Sequence, residues 1–507
     1  MAKYKHYDCS QDVLIPVSLK DQLIPGTLEF AIHTLVETRM DTSIFDDRYR
    51  NDETGRLAYD PKILLKVILL GYARGLISSR KIEAACRENV TFMALCCGQC
   101  PDHSTISTFV SSMKDEILPL FRDVLLVCEE ENLLGGTVFA LDGCKLPSNA
   151  SRRKSGKFSD LQRKKQNIEK KVERLLKEQE EADKKDDDED QGGGRPSDRS
   201  NRQKQVESLQ KQAERIEKFL KENGPKIGKQ GREIKSNITD NDSAMMVGSH
   251  GAIQGYNGQA LVDSKHQVIV HGEVFGEGQD HHLIPPVLDG AKENMEAIGQ
   301  SGDYFSGKIF TADSNYHDPT NLKKCDEEKL DAYIPDKRFR KRDPRFQGER
   351  RRSRRRVDRF ALADFKYNEG SDEYVCPNGK ALKLQVKKTE ADGVFYRRYQ
   401  ANADECRGCE LKVRCIRARN GKRRLLSIPI GRAPGNLTEA MAAKVDSEMG
   451  HKIYSQRIAI VEPVFANIRT HKGMDRFTLR GKVKVNIQWL LYCMIHNIGK
   501  IVNYGFT

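Results

Sequence analysis

Three acidic residues stand in surroundings that suit chemistry on a phosphate ester: Asp142, Asp313 and Glu462. Asp142 closes a short apolar run, Thr137 to Leu141, and small, polar and basic residues follow it, among them Gly143, Lys145, Arg152 and Arg153. Asp313 repeats that arrangement. Ile309 to Ala312 reads as a short strand tipped by the carboxylate, and Ser314 to Asp318 leads into a helix start. Glu462 differs, because it sits between Val461 and Pro463 in an apolar stretch, with Arg457 and Arg469 near it in sequence. A carboxylate in such a place is costly unless it is paired or ligates a cation. Acids at strand tips beside positive charge suit a metal-assisted displacement at phosphorus.

The totals of the 507-residue chain fit that chemistry. Charged residues make up 31% and the formal net charge is +13, an excess that favours polyanionic partners. Nucleic acid is the leading candidate and an anionic membrane surface the second. No apolar run approaches the roughly 20 residues of a membrane span, and Met1 to Tyr7 has no apolar signal core. We therefore expect a soluble, cytoplasmic protein. Thirteen cysteines without an export signal point to thiols and a metal site, not a disulfide framework.

Residues 1–130 read as a helical domain. Asp60 and Pro61 form a cap and first helical position, Ile63 to Tyr72 is apolar on most sides, and further helix starts fall at Ser79 and at Pro101-Asp102-His103. Arg80 and Lys81 are exposed in that reading. Short helices with basic starts suit a helix-turn-helix reader of DNA, the alternative being a bundle with ordinary solvated charges. His103 reads as a capping-turn residue, and Cys96, Cys97 and Cys100 as buried thiols. Residues 135–158 hold the first strand, Thr137 to Cys144. Residues 159–235 form a charged insertion with apolar stripes at Ile168, Val172, Leu175 and Leu176, and at Val206, Leu209, Ala213, Ile216 and Leu220, around Gly192-Gly193-Gly194. This predicts an antiparallel helical hairpin, serving dimerisation or DNA tracking, or acting as a solvated spacer. In residues 236–335, Gly255–Asp263 and Gln267–Phe275 predict a β-hairpin, and Asp280-His281-His282 opens a helix, the histidines pointing too far apart to chelate together. A strand after Asp313's helix, Asp331 to Ile334, completes the mixed-sheet order used by a ribonuclease-H-like core.

Residues 336–435 are an insertion of two parts. Twelve Lys or Arg lie between 337 and 356, including Arg351, Arg352, Arg354 and Arg355, a density suited to sequence-independent contact with DNA phosphates. Cys376, Cys406, Cys409 and Cys415 then stand among Gly and Pro, and fit a structural zinc site in a small ribbon, free thiols being the alternative. Residues 436–507 supply helices, with the single Trp489 in a strongly apolar one, Val483 to Val502.

At this point the chain resembles the DDE transposases of bacterial insertion sequences, in the group with a helical N-terminal domain and a four-cysteine insertion. The residues that carry the likeness are Tyr59-Asp60-Pro61, Ser79 to Glu83, Pro101 to Thr105, Asp142-Gly143, Thr311 to Asp313 and Val461 to Phe465. The resemblance implies an α/β fold: a ribonuclease-H-like mixed-sheet catalytic core, an all-α N-terminal domain, a helical-hairpin insertion and a small cysteine-rich insertion. It implies a catalytic, metal-holding triad of Asp142, Asp313 and Glu462. Two Mg²⁺ (or Mn²⁺) ions would serve it, with zinc a second metal, on the four cysteines. Tyr454, Arg457 and Glu462 match the family's Tyr-Arg-Glu-Lys signature with one extra residue before the glutamate, and Arg469 takes the lysine place. The implied function is binding of insertion-sequence ends, cleavage of DNA and strand transfer, by a homodimer acting on terminal inverted repeats and target DNA. Lys145, Arg457 and Arg469 would hold phosphate. Two rivals stand beside it: a domesticated, non-catalytic DNA-binding protein, and a ribonuclease-H-like nuclease that does not join strands.

Overall fold

A computed structural model describes residues 18–49, 57–188, 196–228, 231–248, 251–346, 359–391, 394–416, 418, 420–432 and 437–505. In chain order the helical part comprises α1 (Leu28–Thr38), α2 (Pro61–Ala73), α3 (Ser79–Glu88), α4 (Val90–Leu95), α5 (His103–Ser112) and α6 (Ile117–Glu130). Strand β1 (Val138–Pro147) and a short β2 (Ser155–Gly156) precede two long helices, α7 (Phe158–Asp188) and α8 (Pro196–Glu222). Then come β3 (Ser236–Asn237), β4 (Ala244–Gly248), β5 (Gly251–Asp263), β6 (Ile269–Phe275), α9 (Ile284–Ala297), β7 (Ile309–Ala312), α10 (Pro319–Glu327), β8 (Asp331–Tyr333) and α11 (Phe339–Arg342). The chain continues through β9 (Lys366–Asn368), β10 (Glu373–Val375), β11 (Ala381–Ala391), β12 (Val394–Ala401), α12 (Ala403–Arg407), α13 (Lys412–Cys415) and β13 (Leu425–Arg432). It ends in α14 (Leu437–Asp446), α15 (Glu448–Ala466) and α16 (Lys482–Tyr504). The fold is mixed α/β, and no described helix is long and apolar enough to cross a membrane.

Two compact units make up the chain: residues 1–280, 287–304 and 458–507 form one, and residues 281–286 and 305–457 the other. In the first, β5 pairs antiparallel with β1, β4 and β6. Helix α16 is the centre of this unit, in contact with β6 and with α1, α2, α5 and α6. Its Trp489 is fully buried and donates from Nε1 to the Gln259 carbonyl at 2.9 Å. Two glycines make room for the ring, since a Cβ on Gly258 or on Gly272 would stand 3.1 Å from it. Polar residues of α16 also occupy the backbone of β6. Asn497 exchanges two hydrogen bonds with Ile269, each of 2.9 Å, and Asn486 Oδ1 accepts from Val274 N at 3.0 Å. Covering strand groups in this way leaves fewer for a foreign strand to pair with.

Helices α7 and α8 pack side by side, and Lys165 near the start of one pairs with Glu217 near the end of the other, so they run antiparallel. Val172, Val206, Ala213 and Ile216 are buried as the stripes predict, but Leu176 is 40% exposed. A small core of Leu161, Ile216 and Phe219 closes the base of the pair. In the second unit β7 and β8 pair in parallel, and Tyr333, Phe339 and Val445 make a core beside them. Strands β9 to β13 form a separate five-stranded antiparallel sheet around Phe365, Leu382, Tyr399, Ala401 and Leu426.

Candidate active site

Asp142 lies within its strand, not at its end. β1 continues to Pro147, and Asp142 stands opposite Ala260 in an unbroken register from Phe139 to Pro147. Length explains the difference: β5 is 13 residues long and offers partners as far as Gly255. The Asp142 carboxylate accepts from the Gly143 backbone N–H at 2.8 Å. Strand alternation puts Asp142, Cys144 and Leu146 on one face and Gly143 and Lys145 on the other. Gly258, opposite Cys144, faces Trp489, so the Asp142 face is the one that α16 covers. Lys145 therefore leaves the sheet on the side opposite the Asp142 carboxylate.

The end of α15 reaches the same face within this unit. Phe465 stacks on Trp489 with centroids 6.4 Å apart and planes at 19°. Burial pushes the Cys144 thiol up to about 12, and the positive charge of Arg469 pulls against that shift. Arg469, in a π-helical turn after α15, is thus within electrostatic reach of β1. Glu462 is exposed, while its neighbours Val461 and Val464 are fully buried. Pro463 is inside the helix, where its missing N–H leaves one backbone carbonyl of the preceding turn without its usual donor.

Asp313 directly follows β7, as the sequence predicts. Its Oδ1 accepts from Asn315 N at 2.8 Å and its Oδ2 from Asn315 Nδ2 at 3.1 Å. Burial raises the Tyr454 phenol, the Arg457 charge lowers it and the Asp313 charge raises it, so Tyr454 of α15 lies within electrostatic reach of both Arg457 and Asp313. The Arg457 guanidinium is 5.9 Å from the Tyr454 ring centroid, and the residue is 8% exposed. Each signature residue thus has a defined setting: Asp142, Glu462 and Arg469 in the first unit, Asp313, Tyr454 and Arg457 in the second.

Other expected residues distribute more widely. Arg80 and Lys81 are exposed on the first turn of α3. Arg351, Arg352, Arg354 and Arg355 lie outside the described residues. Ahead of them, Arg342 binds Asp336 at 2.6 Å and Asp446 at 2.5 Å, and Arg345 binds Asp343 at 2.7 Å. Those two arginines are paired, against the unpaired charge expected of that run. His103 is the first residue of α5, in the turn capped by Asp102 as expected, and also meets the Glu83 carboxylate at 2.8 Å. Cys97 is exposed and Cys100 half-buried, where buried thiols were expected. Asp280, in contrast, caps no helix. Buried at 6% exposure, it accepts from Asn257 Nδ2 at 2.6 Å and Gln259 Nε2 at 3.1 Å. These amides lie under Gly143, and the polar residues 257 and 259 in an apolar strand were the sequence signal for this cluster.

Cys376, Cys406, Cys409 and Cys415 line one cavity of about 30 Å³. Lys380 N donates to Cys376 Sγ at 3.3 Å and Asn378 Nδ2 to Cys409 Sγ at 3.6 Å. Soft sulfur donors with N–H groups behind them fit zinc. As the side chains are placed, no three His, Cys, Asp or Glu among the described residues stand close enough together to hold an ion. The hard carboxylate oxygens of Asp142, Asp313 and Glu462 are the donor type that Mg²⁺ takes.

Comparison with known families gave two matches. A family model described as a transposase DDE domain matches residues 375–502, which include the four cysteines and Glu462. One described as a transposase domain matches residues 17–112, which include α1 to α5. A search of curated proteins found no match.

Proposed function

We propose that this chain, a DDE transposase of an insertion sequence by the two domains it carries, binds the ends of its element and cuts and joins DNA through Asp142, Asp313 and Glu462. The observation that carries this reading is the signature of α15. Tyr454, flanked by Arg457 on the same helix, lies within electrostatic reach of the strand-tip acid Asp313, and Glu462 follows on that helix.

Asp142, Asp313 and Glu462 would hold Mg²⁺, or Mn²⁺, as a pair of ions in a ribonuclease-H-like core. When bound, these ions supply Lewis acidity to the reacting phosphate. The chain's own cations have complementary work. Arg457 and Arg469 neutralise the phosphate oxygens as charge shifts from the attacking to the departing oxygen. A water, or a DNA 3′-hydroxyl, forms the new bond to phosphorus as the bond to the departing 3′-oxygen breaks. No covalent link to the protein is needed. Arg80 and Lys81 on α3, with the basic run that includes Arg351 to Arg355, would hold duplex DNA, and the four cysteines would hold a structural zinc. A homodimer would align two terminal inverted repeats with target DNA.

A supercoiled donor plasmid carrying the element's ends, incubated with the protein and Mg²⁺, tests this. Joined products are expected. Nicks alone would make the protein a nuclease, and a mobility shift without cleavage would make it a DNA-binding protein only.

A further inference from the structure

The helical hairpin pairs part of its charge along α7 and α8 and leaves several cations at its base without a carboxylate partner among the described residues. Along α7 and α8, Lys165 meets Glu169 and Glu217, Lys221 meets Glu217, Arg174 meets Glu178 and Arg163 meets Asp160, all within 3.4 Å. Lys164 and Arg215, in the same turns, have no carboxylate partner among the described residues. Three adjoining cavities of about 470, 530 and 530 Å³ run from the start of α3, past the end of β1, to the hairpin. The first and second share Asn149 and Arg476, and the second and third share Lys154 and Arg480, so they form one trough.

Six exposed cations line the second and third cavities: Lys154, Lys164, Arg215, Lys218, Arg476 and Arg480. Only Lys218 has a carboxylate partner among the described residues, Glu222 at 3.7 Å. Three of the other five are held by neutral groups. Arg480 Nε donates to the Asn149 carbonyl at 2.8 Å, Arg476 Nη2 approaches Asn149 Oδ1 at 3.4 Å, and Lys164 Nζ donates to the Arg153 carbonyl at 3.1 Å. Such bonds fix the direction of a cation without cancelling its charge. Cations fixed side by side repel one another, and a polyanion with regularly spaced charges relieves that repulsion.

We infer that the base of the hairpin, the loop after β1 and the 473–480 elbow form a trough that seats the phosphate backbone of duplex DNA. The inference rests on the transposase reading and adds to it a role for the hairpin. Contacts of this kind position DNA without reading its sequence. The trough begins at the end of the strand that carries Asp142, so DNA held there leads towards that strand.

The test compares the full-length wild-type protein with the triple variant Lys164→Glu/Arg215→Glu/Lys218→Glu, on an element-end duplex and on an unrelated duplex of equal length. The variant should weaken both at least tenfold near 0.1 M salt. It should also flatten the slope of log Kd against log salt by about two to three, at about 0.9 per lost phosphate contact. Arg174→Glu, at a cation paired with Glu178 and away from the trough, should change neither. A triple Gln variant gives the same readout with smaller effects if the Glu variant misfolds. Wild-type binding with an unchanged variant slope would overturn the trough and leave the transposase reading intact. No binding by the wild-type protein would overturn both. Weakening by the variant of binding to an acidic protein tract, but not to DNA, would reassign the trough.

Discussion

Gly143 occupies a position where a side chain has no room. A Cβ there would stand 2.1 Å from Gln259 Nε2 and 2.7 Å from Asn257 Oδ1, the amides that hold buried Asp280. Gly143→Ala must push them aside and shift β1 beside Asp142. We expect a loss of about 1–3 kcal/mol in urea unfolding, as for other overpacked interiors, together with reduced DNA cleavage; unchanged stability would show that the amides yield. A second residue sets a pH limit. Burial, reinforced by the charges of Lys500 and Lys472, holds His496 down to about 3 from an ordinary 6.5, against the opposing bond to the Gln267 carbonyl. The folded state refuses a proton that the unfolded chain accepts below 6.5. Stability is therefore complete above that pH and falls as the pH drops from 6.5 towards 3, at roughly 1.4 kcal/mol per unit. Urea midpoints from pH 7.5 to 5 should show this slope in the wild type and a smaller one in His496→Gln. At this scale Asp313 was legible, because its strand ends where its apolar run ends. The extent of β1 beyond Asp142 was not, because a partner strand distant in sequence sets it.

Helices declared themselves through spacing and caps. Asp60 accepts from Lys62 N and Asp102 from Ser104 N and Thr105 N, as their positions before apolar turns predict. The hairpin's stripes gave its packing, but not Phe219, which joins its base core with Leu161 and Ile216. Phe219→Ala should cost that core about 3–5 kcal/mol. Limited proteolysis would then cut α7 and α8 while the rest of the chain resists. Equal resistance of the variant hairpin would mean that other contacts hold it. The cysteine sheet was legible only in part, because β9 and β10 are only three residues long and β13 returns to β12 after the two short helices α12 and α13. If zinc ties it together, purified protein contains one zinc per chain. Cys406→Ser/Cys409→Ser then loses that zinc and exposes β11 to β13 to protease. Full zinc content in the variant would move the metal elsewhere.

Over the whole molecule, a net charge of +13 favours phosphate, but the surface is not uniformly basic. Arg342, Arg345 and several of the hairpin's cations are neutralised within the chain, so the net charge overstates what faces DNA. Five of the six cations lining the trough have no carboxylate partner among the described residues. Composition could not reveal this division, because pairing is decided by the fold. The central claim is that three carboxylates distant in sequence perform one reaction. It is tested most directly by Asp142→Asn, Asp313→Asn and Glu462→Gln, each assayed for Mg²⁺-dependent cleavage of a labelled element-end duplex and for binding to it. The account predicts that each variant binds within about twofold of the wild type, since the changed groups carry no positive charge to phosphate, and that each loses cleavage at least a thousandfold, about 4 kcal/mol of barrier. Cleavage at the wild-type rate by any one of them would contradict it.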